Sequence, residues 1–126
     1  MSALLRLTAL VCLAWAIALL GLKDHLVAAA ELTAVARATA NGLGIASLVL
    51  TYVFWDAARA PAAHRGVVYA AIALSALKTA NDLYELLALL PADQALFALG
   101  DLVLSVGLLV GLLEALPRML AGARSD

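Results

Sequence analysis

Four apolar runs, over residues 4–22, 38–58, 66–90 and 95–116, are each long enough to cross a bilayer, and they restrict this chain more than any other feature. A helix rises about 1.5 Å per residue and the hydrocarbon core is about 30 Å thick, so about 20 apolar residues suffice. Inside lipid, every backbone polar group must find its partner within the chain, which leaves helices as the natural form for such runs. Composition agrees: 66% of the 126 residues are hydrophobic and 13% charged, against about 45–50% and about 25% in soluble domains. The expected fold class is all-α, a four-transmembrane-helix bundle forming one integral membrane domain over residues 1–126.

The breaks between the runs carry the topology. The first run ends at Gly21 and the polar group Lys23, Asp24, His25. Arg6 before it and Ala28-Ala29-Ala30 after it raise the possibility of a cleaved secretory signal, but the run exceeds a usual signal core and a polar spacer separates it from the alanines. It is read as a retained span. Residues 24–40, with Asp24 placed as an N-cap, form either an interfacial helix or an extension of the second span. Tyr52 and Trp55 beside Asp56 and Arg59 read as an interfacial belt. Pro61 marks a turn, Pro91-Ala92-Asp93-Gln94 a tight connection, and Pro117 with Arg118, Gly122 and Arg124 the close of the last span. Arg6, Arg59, Arg65, Arg118 and Arg124 fall on one side and only Lys23 and Arg37 on the other, which places both termini in the cytoplasm. High Ala and Leu content with few Phe, Ile and Lys suits a GC-rich bacterium, so the expected location is a bacterial inner membrane, multi-pass.

One stretch departs from the apolar rule. Lys78, Asn81, Asp82 and Glu85 are spaced by three and four, and at about 100° per residue they share one face of the third helix. An ionisable group at the bilayer centre costs about 2.5–3.5 kcal/mol on insertion scales, so this face is expected to point into the bundle and to have partners there. Lys78 and Asp82 form an i,i+4 pair. The third and fourth helices are antiparallel about a turn near Ala92 or Asp93, which sets Glu85 level with Asp101, each about 10 Å below the outer boundary. Arg37 and Asn41 on the second helix come to the neighbouring level. The candidate ligand- or ion-binding set is therefore Lys78, Asn81, Asp82, Glu85, Asp101, Arg37 and Asn41. Lys78 and Arg37 face Asp82, Glu85 and Asp101, so one carboxylate is left over, to be balanced by a proton, a cation or a ligand donor.

Several classes are disfavoured. A formal charge of -1 without a basic patch argues against nucleic acid. The single cysteine, Cys12, has no partner for an internal disulfide and reads as a small buried hydrophobe. His25 and His64 fall on opposite sides, which disfavours a shared metal or haem, and no cofactor is expected. Phosphate loops, zinc-protease helices and nucleophile elbows are missing; an enzyme using Asp82 and Glu85 as acid and base is a lesser alternative. Gly107 and Gly111 make a small-xxx-small pattern that suits close packing within the bundle, or dimerisation. Asn41-Gly42-Leu43-Gly44 is a place where the second helix could loosen, and Tyr84 beside the stripe could reach a ligand or sit at the interface. At one constant offset, Gly42, Ser47, Leu50 and Asp56 match Gly100, Ser105, Leu108 and Glu114, a pattern that apolar sequence also produces by chance.

With Arg37-Ala38-Thr39-Ala40-Asn41-Gly42-Leu43-Gly44 at the head of the second span, the layout resembles the small DoxX-like membrane proteins and related four-helix families. The resemblance covers most of the chain in arrangement but only this motif in residues, and it implies a link to quinone or thiol metabolism. Two functions are expected. One is an accessory or structural bundle with a charged interior network, set in the lipid bilayer as a homo-oligomer or beside a partner membrane subunit. The other is a small transporter or ligand-binding protein that handles a proton, cation or polar solute through Lys78, Asp82, Glu85 and Asp101.

Overall fold

The computed structural model describes residues 1–22, 34–88 and 95–122. Among these the regular secondary structure is helical, with turns over residues 58–64. Helix α1, Ser2–Ile17, continues as a π turn over Ala18–Leu22; α2 is Ala34–Ala57, α3 Arg65–Ala88 and α4 Ala95–Gly122. Ser2–Leu22, Ala36–Ala57 and Leu99–Gly122 are long and apolar enough to cross a membrane. Three such helices suggest a membrane protein. Helix α3 is 24 residues long, yet its polar stripe keeps it out of that group, so only three of the four expected spans meet the criterion by length and composition.

Two boundaries differ from the sequence reading. Ala34 onward belongs to α2, so the tail of the alanine-rich segment extends that helix rather than lying apart. Helix α4 does not stop at residue 116 but runs through Pro117 to Gly122. A proline removes one donor, here the bond to the Leu113 carbonyl. Packing offsets the loss, because Leu116 and Met119 on either side of Pro117 both lie against the core. Lys23, Asp24, His25, Ala28–Ala30, Glu31, the connection at Pro91–Gln94 and Arg124 lie outside the described residues, as does the side chain of Glu85.

Helix α1 packs along α2 and α3 along α4, with far less contact between the two pairs. The pairs are joined at one end by residues 58–64. There His64 donates its backbone N–H toward the carbonyls of Ala60 and Pro61 at 3.3 and 3.2 Å, and Val67 and Val68 donate to the His64 carbonyl to start α3. The buried core sits at this same end: Leu5 and Ala9 from α1, Phe54 and Ala57 from α2, Val68 and Ala71 from α3, Leu112 from α4. Alanines on three of the four helices let the backbones approach closely, while Phe54 is the largest side chain buried among them. Away from that end the core thins out. Large apolar side chains turn outward instead, including Ile45, Val49, Leu77 and Val103, each more than half exposed.

Hydroxyls are accommodated by the helices that carry them. Thr8, Thr51 and Thr79 each donate to the carbonyl four residues back, at 2.9, 2.9 and 2.8 Å. This satisfies a polar group without a partner helix. Gly44 does not loosen α2, which is unbroken from Ala34 to Ala57. It is the close approach of α2 to the π turn: a Cβ there would lie 2.6 Å from Leu20 Cγ and 3.3 Å from Leu19 Cβ. Gly111 has a similar role at Leu4, 3.0 Å from an added Cβ, whereas Gly107 has open space around it.

These environments give opposite expectations for one substitution. Glycine in a helix interior is about 0.5–1 kcal/mol worse than alanine, so Gly107→Ala should raise the thermal stability of the purified protein. Gly44→Ala should lower it, because Leu20 must be displaced. A fall for Gly107→Ala accompanied by loss of a dimer would instead put Gly107 on a seam between two chains.

Candidate functional site

Lys78 and Asp82 of the α3 stripe face α4, and the ammonium of Lys78 is the centre of the site. Lys78 Nζ donates to Asp82 Oδ1 at 2.9 Å on its own helix and to Asp101 Oδ2 at 2.5 Å on α4. It also lies 5.1 Å from the centroid of the Trp15 ring on α1, within cation–π range. One side chain thus ties three helices together. Asp82 is sealed, with its side chain 4% exposed. Its second oxygen accepts from Ser105 Oγ on α4 at 2.9 Å, and the Ser105 hydroxyl also lies 3.0 Å from the Leu102 carbonyl. Every fully buried side-chain N or O among the described residues has a partner.

Asp101 is held by Lys78, two helical turns further from the α3–α4 connection than Glu85, whose side chain lies outside the described residues. The helix register itself is as the antiparallel arithmetic requires, since Asp82 meets Ser105 across the pair. The long lysine side chain runs along the helix axis, so Lys78 pairs with a carboxylate nearer the connection than its own backbone level.

Next to this triad, between the two helix pairs and beyond the core, is a cavity of about 480 Å³. Its volume falls within the roughly 300–1,000 Å³ of small-molecule sites. All four helices contribute to it. Lys78 and Asp101, with the neutral amide of Asn81, form its polar side; Trp15, Leu43, Leu74 and Leu104 give much of the apolar wall, and Thr8, Cys12, Ser47, Ser75 and Ser105 add small polar groups. Asp82 lies behind Lys78 and is not on the wall.

Of the seven sequence candidates, Lys78, Asp82 and Asp101 are brought into direct contact, and Asn81 joins Lys78 and Asp101 on the cavity wall. Arg37 is half-buried and Asn41 exposed, and neither lines the cavity. Tyr84 is 59% exposed and also points elsewhere. Sequence reasoning passed over Trp15 and Ser105. Ser105 had a usable signal, because it follows Asp101 by four residues and so shares its face. Trp15 had none, since α1 is apolar on all sides.

The triad sets an order of sensitivity. Lys78→Met leaves two desolvated carboxylates without a cation, and breaking a buried pair by removing one partner costs about 3–5 kcal/mol. Asp101→Asn leaves Lys78 still bound to Asp82 and should cost less. Replacing all three by apolar residues should recover most of the loss. Thermal unfolding of the four proteins in one detergent measures the order; equal losses for Lys78→Met and Asp101→Asn would mean that the ammonium is not the shared partner. Comparison of the chain with protein-family profiles, curated proteins and solved structures finds no match.

Proposed function

We propose that this chain is a multi-pass protein of a bacterial inner membrane that binds a small amphiphilic ligand in the cavity between its two helix pairs. In this reading α3 is a fourth crossing. At about 1.5 Å per residue, its 24 residues are long enough. Leu77, Leu83 and Leu87 face outward, while Lys78 and Asp82 are drawn toward α4, so lipid meets leucine and the charges meet each other. Arg6, Arg59, Arg65 and Arg118 gather at the core end, which supports cytoplasmic termini.

The observation that carries the ligand reading is the cavity itself, open space of small-molecule size with a charged side and an otherwise apolar wall. A network that only ordered the helices would be expected to close such a space by packing. One observation favours the alternative of an accessory or structural bundle: Asp82 is fully satisfied within the chain by Lys78 and Ser105. A polar network of this kind fixes helix rotation, and the exposed apolar faces would then meet a second copy or a partner subunit.

The two readings separate by ligand-induced stabilisation. Purified protein in a non-ionic detergent is melted in the presence of short-chain alkyl amines, alcohols and carboxylates. A ligand at a hundredfold excess over its Kd adds about 2.7 kcal/mol to stability, so at least one class should raise Tm. Ser47→Trp, which fills the cavity from α2, should keep the fold and erase that rise. If no class raises Tm in the wild type, the ligand reading fails and the structural one stands.

A further inference from the structure

The donors and acceptors on the cavity wall decide the charge of what it can hold. An ammonium has three N–H donors and no acceptor. Two donors of Lys78 are used by Asp82 and Asp101 and its remaining side faces the Trp15 ring. Lys78 therefore has nothing in reserve for an anion, and no other cation among the described residues lines the cavity. Both oxygens of Asp82 are engaged, one by Lys78 and one by Ser105.

Asp101 is different. Its Oδ2 accepts from Lys78, and among the described residues no donor is recorded on its Oδ1. It stands on the cavity wall with its side chain 18% exposed. A carboxylate offers about four lone-pair sites over its two oxygens, so most of this one's capacity is unused on a residue that borders open volume. With both carboxylates ionised, the triad also carries one more negative charge than positive. The rest of the wall is leucine and the Trp15 indole, which suit an apolar body and an aromatic contact with a cation.

We infer that the cavity selects a small organic monocation, an amine bearing at least one N–H and an apolar body, with Asp101 as its anchor and anions excluded. The inference rests on the reading of the cavity as a ligand site and adds the sign and donor chemistry of the ligand.

Cys12, the only cysteine of the chain, lies on the same wall and reports on it without any engineered residue. The full chain in non-ionic detergent is treated with three methanethiosulfonates that differ in charge: the neutral methyl reagent, the 2-aminoethyl ammonium and the 2-sulfonatoethyl anion. Each rate is divided by that reagent's rate with a free thiol. Fields focused in a low-dielectric cleft raise local ion concentrations by about 10–10³-fold, so the ammonium should outpace the sulfonate by about tenfold or more. Asp101→Asn should bring the two to near parity while the methyl reagent still reacts. In the wild type, hexylammonium should slow the methyl reagent and hexanoate should not, a comparison that needs no variant. Parity in the wild type, a preference for the sulfonate, or protection by hexanoate would overturn the cation assignment and leave the ligand site standing. Failure of even the methyl reagent to reach Cys12 would remove the accessible cavity and both readings with it.

Discussion

One ammonium ties three helices of this molecule together. Lys78 bonds to a carboxylate on its own helix and to one on α4, and meets the face of an indole on α1. Each contact restricts a different degree of freedom. The bond to Asp82 fixes the rotamer of the lysine along α3. The bond to Asp101 fixes the rotation of α4 about its axis, and the Asp82–Ser105 bond adds a second point on the same helix and so settles the register. The ring contact links the α3–α4 pair to α1. In an apolar medium such contacts cannot be exchanged for water, which is why their geometry governs the arrangement more than their modest net energies would suggest.

The two ends of the bundle are built on different principles. Around the 58–64 connection, small residues let four helices close on Phe54, and association is a matter of van der Waals packing. Beyond it, the pairs separate and polar contacts replace close packing. The π turn belongs to this second region. By widening the end of α1 it sets Leu19 on the cavity wall and Leu20 against Gly44, where only a glycine leaves space. The cavity is thus bounded by a packed base, a salt-bridged side and a helix irregularity, and it does not depend on any single helix.

What could be read from the residues follows from how local each interaction is. The helices were legible because length and apolar content act over twenty residues at a time. The Lys78–Asp82 pair was legible because i,i+4 geometry is set by one helix alone. The bond from Lys78 to Asp101 was not legible, since backbone level says nothing of how far a lysine reaches. Pro117 shows the opposite case: a local rule ended α4 there, and Leu116 and Met119 packing on the core carried it onward. Trp15 could not have been found, because a helix apolar on every side has no face that names its partner. Arg37 and Asn41 were assigned to the site by depth alone, and depth leaves rotation about the helix axis undetermined.

The two aspartates, bound to the same cation, then pose a physical question that their surroundings answer. A clamp between α3 and α4 needs only one carboxylate on Lys78. A second carboxylate beside one ammonium leaves a negative charge over, which a purely structural network can avoid by using an amide or a hydroxyl. Asp82 is sealed behind the lysine and finished by Ser105, as a structural partner should be. Asp101 keeps an oxygen toward open volume, beside an indole and a wall of leucines. It fixes α4 against Lys78 and still has acceptor capacity that no described residue uses. It makes physical sense as the acceptor for a donor that comes from outside the chain.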